Sequence, residues 1–127
     1  MSRADPLRTR GTEIEKREAM KHVVVKSAQA QPREYMGVRF ELLATGSRSM
    51  VTKMLFETQN KVPVHRHPNE QSSYVISGRY QLKVDGQTYE LAAGDSYSVQ
   101  ADTNHAIDVL EAGQTIDVFA PPREDFR

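Results

Sequence analysis

The chain lacks cysteine and tryptophan, and it carries no excess charge of either sign. Its 127 residues include 17 Lys and Arg against 17 Asp and Glu. The absence of cysteine excludes disulfides and thiol catalysis and suits a reducing compartment, so we expect a cytoplasmic protein. The balanced charge favours neither nucleic acid nor an anionic membrane surface as a partner. No apolar run is long enough to span a bilayer, and we expect a soluble protein without a membrane partner.

The first 19 residues differ in composition from the rest of the chain. They are rich in charged residues and poor in large apolar side chains, a composition typical of segments that cannot bury a core. We therefore interpret residues 1–19 as a disordered extension. Residues 20–127 are expected to form one domain with a modest core.

From Val23 onward the sequence alternates between short strand patterns and turn signals. Residues 22–26 and 37–44 have strand patterns, and the proline-containing residues 30–34 between them are expected to form a loop. Asp85-Gly86 predicts a tight hairpin. No segment has a sustained helical period, so the pattern predicts an all-β sandwich or barrel. The apolar Val23 to Lys26 is a candidate interface strand.

Two histidines one residue apart suggest a metal site. On a strand, His65 and His67 would point to the same face and could share one ion. The preceding Val62-Pro63-Val64 favours an edge strand. Gln71 and the distant His105 could complete the site, because imidazole nitrogens and an amide oxygen suit a transition metal. The alternative interpretation is a pair of solvated surface histidines.

A second cluster of polar residues lies in the C-terminal tail. Asp117 and Phe119 share one face of a predicted strand, and Pro121-Pro122 ends that strand and holds Arg123 in a defined position. An inward Asp is costly unless it is paired or functional. The pattern leaves two alternatives open: a structural ion pair between Asp117 and Arg123, or a functional acid beside a functional cation.

Two motifs resemble those of the cupin superfamily, namely HRHPNEQSSYVISG and GDSYSVQADTNH. The resemblance implies a single-domain jelly-roll barrel, also called a double-stranded β-helix, that holds a metal. It implies four ligands, His65, His67, Gln71 and His105. Gln71 replaces the acid usual in the first motif, with Glu70 as the alternative. The second motif's proline and glycine are replaced by Gln100 and Asp102.

The tail DVFAPPREDF, together with the first motif, resembles the pectin-degradation cupins that act on unsaturated uronates. The resemblance implies ring opening of a 4,5-unsaturated monouronate, a sugar acid, with Asp117, Phe119 and Arg123 in the active site. It also implies a divalent transition metal (Zn, Ni, Fe or Mn), and we expect a homodimer, as is common for small cupins. A non-haem metal dioxygenase and a non-catalytic sensor cupin are the alternatives.

Overall fold

The computed structural model describes residues 21–127, which form two antiparallel β-sheets packed face to face. The larger sheet has the strand order β1-β2-β3-β10-β5-β8, and the smaller has the order β4-β9-β6-β7. The strands are β1 (Gln31–Tyr35), β2 (Val38–Thr45), β3 (Met50–Phe56), β4 (Lys61–His65), β5 (Glu70–Val75), β6 (Arg79–Val84), β7 (Gln87–Ala92), β8 (Ser96–Val99), β9 (His105–Glu111) and β10 (Gly113–Ala120). This jelly-roll arrangement confirms the predicted all-β fold.

The core lies between the two sheets and follows from strict alternation along the strands. In β3, Met50, Thr52, Met54 and Phe56 are buried, while the residues between them are half-buried on the outer face. The larger sheet adds Val38, Phe40 and Phe119 to the core, and the smaller sheet adds Val62, Tyr80, Leu82 and Ile107. Because the side-chain period of a strand is two, one face of each sheet supplies the core.

Turn residues close the strands where the sequence predicts. Asp85 and Gly86 both adopt positive φ, at 48° and 78°, which is the backbone of the tight turn that suits a right-twisted hairpin. Gly78 has a φ of 92°, and a Cβ there would lie 2.7 Å from the Glu111 carbonyl oxygen. Only glycine fits this crossing between β5 and β6 without displacing the backbone.

The N-terminal strand assignment was wrong. Residues 22–26 belong to neither sheet, and the edge of the larger sheet is instead β1, which overlaps the predicted loop at 30–34. Pro32 pairs with Glu41 in this ladder, and an edge strand tolerates a proline because its outer side needs no N–H donor. Val23 and Val25 are half-buried and line a surface pocket together with Leu42, Leu43 and Thr45.

The predicted disordered extension, residues 1–19, lies outside the described residues. Within residues 21–127 the only helical pieces are short 3-10 turns, at Ser27–Gln29 and Glu124–Phe126. No helix in that part of the chain has the length and apolar character needed to cross a membrane.

Candidate metal centre

The backbone brings His65, His67 and His105 together at one end of the cavity between the sheets. His65 ends β4 and His105 begins β9, and the two are directly opposite each other in the antiparallel ladder. Their ring centroids are 4.2 Å apart, and the His67 ring lies 5.5 Å from His65 and 4.9 Å from His105. The prediction placed both His65 and His67 on one strand, but β4 ends at His65 and His67 lies in the turn before β5. The two side chains nevertheless converge, with their ring centroids 5.5 Å apart.

Each of the three rings is oriented by a backbone carbonyl through its Nδ1 atom. The Nδ1 atoms of His65, His67 and His105 lie 3.0, 2.9 and 2.8 Å from the carbonyl oxygens of Pro63, Asn69 and Thr103. A carbonyl oxygen can only accept, so Nδ1 carries the proton in each neutral ring. The Nε2 lone pairs are thereby free to act as ligands, as in metal sites whose histidines are held by backbone carbonyls.

The ligand atoms of the three histidines fit one ion. They all lie within 4.8 Å of one another. The Nε2 atom of His105 is buried, and within residues 21–127 it has no hydrogen-bond partner. An unpaired buried acceptor is costly, and a cation bound by all three Nε2 atoms would satisfy it. Three neutral imidazoles suit Zn, Ni, Cu or Fe.

Burial keeps the three imidazoles neutral. Desolvation is the main cause that lowers the pKa of His65, His67 and His105, and the nearby charge of Arg123 lowers each pKa further. A lowered pKa leaves the rings unprotonated near neutral pH, which is the state a metal requires.

Gln71 is the fourth polar group beside the histidines, whereas Glu70 is exposed. Gln71 is 5% exposed, and its Oε1 atom lies 3.1 Å from His67 Nε2. Its amide nitrogen donates to Ser73 Oγ at 3.0 Å and contacts Tyr97 Oη at 3.3 Å. These contacts direct the amide oxygen toward the histidines, which agrees with the preference for Gln71 over Glu70.

Asp117 lies in the same cavity, on the inner face of β10. Its side chain is buried and accepts a hydrogen bond from Thr115 Oγ1 at 3.2 Å. Desolvation raises its pKa to about 6, against the opposing effects of the Ser73 and Thr115 hydroxyls and of the Arg123 charge. A carboxyl group with this pKa can both hold and release a proton near neutral pH.

Arg123 is buried in the cavity wall, but it does not pair with Asp117. Its guanidinium binds Asp125 instead, with Nε to Oδ1 at 3.1 Å and Nη2 to Oδ2 at 2.7 Å. The structural alternative of an Asp117–Arg123 ion pair is therefore wrong. Asp125 lies two residues after Arg123, in the 3-10 turn that follows Pro121-Pro122, whereas Asp117 lies six residues before Arg123 on β10.

Aromatic side chains enclose the polar groups. The Phe119 ring meets the His67 ring edge-on, with centroids 5.6 Å apart. Phe126 packs against Phe40, Phe119 and Tyr35 and is 2% exposed. The cavity that contains His65, His105, Asp117 and Arg123 is thus walled by Tyr35, Met54, Phe56, Tyr97, Phe119 and Phe126.

Several residues in and around this cavity were not predicted from the sequence. Ser73 and Thr115 follow from alternation, since they lie two residues from Gln71 and Asp117 on the same strand faces. Asn69 is another: its Nδ2 donates to the Pro121 carbonyl oxygen at 2.6 Å, which joins the segment after His67 to the C-terminal tail. Tyr97 lines the cavity, whereas Tyr80 lies in the core and Tyr74 is exposed.

The comparisons with known proteins agree with this fold. The Cupin domain family matches residues 52–118, so the chain belongs to the cupins. The solved structure of an RmlC-like cupin from Shewanella frigidimarina has a TM-score of 0.75 at 30% identity, covering 83% of this chain and 96% of that one. KdgF from a Halomonas species has the same fold, with a TM-score of 0.74 at 23% identity and coverage of 81% and 98%.

Curated relatives are similar over shorter stretches. The pectin degradation protein KdgF of Dickeya dadantii is 34% identical over 64 residues, which cover 49% of this chain and 58% of that protein. The HTH-type transcriptional regulator PuuR of Escherichia coli is 30% identical over 81 residues, covering 61% of this chain and 44% of that protein. The chain therefore spans less than two thirds of either relative.

Proposed function

We propose that this cupin is a metal-dependent enzyme that opens the ring of a 4,5-unsaturated monouronate. The observation that carries the proposal is a cluster of three histidines, two of which line the same cavity as a buried acid with a raised pKa and a buried arginine. The similarity to the pectin degradation protein KdgF supports the choice of substrate. Sugar-acid breakdown in the cytoplasm by a homodimer remains our expectation for the biological setting.

His65, His67, His105 and Gln71 would hold a divalent transition metal ion. This ligand set is neutral, so the positive charge of the ion is not cancelled by its ligands. When bound, the ion supplies a Lewis acid for oxygen atoms of the substrate.

Ring opening requires the movement of one proton, which suits Asp117. The anomeric hydroxyl loses its proton, the bond between C1 and the ring oxygen breaks with its electron pair passing to that oxygen, and C1 becomes an aldehyde. The resulting enolate then gains a proton at C4, so that C5 becomes a ketone. The sum is an isomerisation that needs no oxidant or reductant. A carboxyl group with a pKa of about 6 can accept the proton from the anomeric hydroxyl and donate a proton to C4.

The remaining cavity residues bind and orient the sugar acid. Arg123 presents a planar cation that suits a carboxylate. Phe119 forms an apolar wall beside it, with its ring centroid 5.2 Å from the guanidinium carbon. The aromatic enclosure limits the access of water to the reacting atoms.

The test is an NMR or absorbance assay with 4,5-unsaturated galacturonate, with and without a chelator. We expect metal-dependent loss of the unsaturated ring signal, and a loss of activity of at least about 100-fold in Asp117→Asn. Asp108→Asn is the matched control, because Asp108 pairs with Lys61 and Lys83 on the outer face of the smaller sheet. Absence of turnover by the metal-loaded protein would contradict the proposal.

A ligand-sensing role is the second candidate, favoured by the similarity to the regulator PuuR over 61% of this chain. A sensor needs the cavity but not the acid. Unchanged binding of a small molecule by Asp117→Asn, without turnover by the wild type, would favour the sensor.

A further inference from the structure

The plane of the Arg123 guanidinium is held by three aromatic rings. Its Cζ atom lies 3.8 Å from the Phe126 ring centroid, 4.7 Å from that of Tyr35 and 5.2 Å from that of Phe119. Stacking of this kind stabilises a cation over the ring faces. An aromatic face offers no hydrogen-bond acceptor at its centre, however, so stacking alone does not determine how the guanidinium is rotated within its plane.

Asp125 supplies the missing constraint on that rotation. Its two carboxylate oxygens bind Nε and Nη2, the two donors along one edge of the guanidinium. A bidentate pair of this geometry is directional as well as strong. Within residues 21–127 no hydrogen bond engages the third nitrogen, Nη1.

Asp125 and Arg123 differ in where they lie relative to the cavity. The Arg123 side chain is 4% exposed and lines the cavity, whereas the Asp125 side chain is 56% exposed and does not. Asp125 therefore binds the guanidinium from the solvent side. The opposite edge, formed by Nη1 and the second hydrogen of Nη2, is left for a ligand in the cavity.

We propose that Asp125 is a positioning residue that orients Arg123 so that its Nη1–Nη2 edge meets the carboxylate of the sugar acid. The proposal rests on the function proposed above, in which Arg123 binds that carboxylate. It makes Asp125 a determinant of specificity for acidic over neutral sugars, although Asp125 itself does not touch the substrate. The negative charge of Asp125 thus improves the binding of the substrate carboxylate, because Asp125 fixes the orientation of the Arg123 guanidinium that lies between the two carboxylates.

Two binding measurements on the metal-loaded protein test this role. Galacturonate and its neutral analogue galactose are titrated into wild type, Asp125→Asn, Asp125→Ser and Glu124→Gln. The control at Glu124 removes the same charge from the neighbouring residue, whose carboxylate pairs with Arg127 and is 77% exposed. We expect roughly 10-fold weaker galacturonate binding in both Asp125 variants, unchanged galactose binding, and wild-type behaviour of the control. Unchanged or tighter galacturonate binding in both Asp125 variants would overturn the proposal.

A second readout separates this proposal from the choice of substrate. The Arg123 Nε–H resonance in a nitrogen-15 NMR spectrum reports the bond to Asp125 without any ligand. We expect slow exchange with water in wild type and Glu124→Gln, and exchange at least about 10-fold faster in Asp125→Asn. Equal protection in wild type and Asp125→Asn would overturn the positioning role. If exchange is faster in Asp125→Asn but none of the proteins binds galacturonate, the positioning role of Asp125 is supported and the sugar-acid substrate is rejected.

Discussion

The Nε2 atom of His67 and the Oε1 atom of Gln71 face each other at 3.1 Å, although both are acceptors. The Nδ1 atom of His67 donates to the Asn69 carbonyl, so the neutral ring has only a lone pair at Nε2. The Gln71 amide nitrogen is already engaged by Ser73 and Tyr97. Two acceptors at this distance repel each other unless a cation binds both. A cation bound by both atoms would remove this repulsion, so the contact suits two ligands of one metal ion.

Replacing Gln71 with glutamate should strengthen metal binding. A carboxylate in this position adds a negative charge beside the ion, and we expect divalent affinity at pH 7 to rise by about 10-fold or more. Calorimetric titration of zinc into the chelator-treated variant measures this. Glu70→Gln, at the exposed neighbouring residue, is the control and should bind zinc as the wild type does. A Gln71→Glu variant with unchanged affinity would place residue 71 outside the ligand set.

Asp117→Asn should stabilise the metal-free protein by an amount that grows as pH rises from about 4 to about 6 and is constant above that. The pKa of this carboxyl is 3.8 as a reference and about 6 in the fold. The folded state therefore binds more protons between these values, and Asp117 makes the wild type lose stability as pH rises through them. At 1.4 kcal/mol per pKa unit the loss is about 3 kcal/mol. Asparagine cannot ionise, and its Oδ1 can still accept the Thr115 hydrogen bond.

Denaturant unfolding in a chelator at pH 4 and pH 7.5 measures this difference. The variant should be more stable than the wild type at pH 7.5, and the gap should nearly close at pH 4. The lowered pKa values of the three histidines affect both proteins equally and cancel. A variant that is destabilised to the same extent at both pH values would indicate a structural bond at Asp117 instead of a desolvated acid.

Gly78→Ala should cost far more stability than Gly86→Ala. Both glycines have positive φ, so each substitution incurs left-handed strain of about 1–2 kcal/mol. At Gly78 the new Cβ would also lie 2.7 Å from the Glu111 carbonyl oxygen and 2.9 Å from that of Ala112, whereas at Gly86 it meets nothing within 4 Å. We expect a loss of about 3 kcal/mol or more for Gly78→Ala in urea unfolding. Equal losses would refute the close approach of the backbone at Gly78.

Most of the fold could be predicted because its strands and turns are specified by local sequence patterns. The strand pattern at residues 37–44 agrees with β2 (Val38–Thr45) to within one residue at each end, and the Asp85-Gly86 turn predicted the β6–β7 hairpin. The N-terminal error has a physical cause. Pro32 looks like a loop residue in the sequence, and only its position at the edge of a sheet makes it acceptable in a strand.

The residues that face the cavity could be predicted where they follow from the alternation of side chains along a strand. The contacts between side chains that are distant in the sequence could not be predicted. Asp117 and Phe119 share a face by strand period, and Gln71 is placed inward with Glu70 outward for the same reason. The preference of Arg123 for Asp125 could not be read from the sequence, since it depends on the turn after Pro122. The approach of Tyr35 to the guanidinium brings together residues 88 positions apart in the chain, and no local pattern encodes it.

The metal content of the purified protein tests the central claim, that the three convergent histidines form a metal centre. Wild type, His105→Ala and His22→Ala are loaded with zinc, desalted and analysed for metal and protein by elemental analysis. His22 is an exposed histidine outside the cluster, so its variant is the matched control. We expect about one equivalent of metal per chain in wild type and His22→Ala, and at least about 10-fold less retained metal in His105→Ala. A wild type that retains no metal, or a His105→Ala variant that retains as much as the wild type, would contradict the claim.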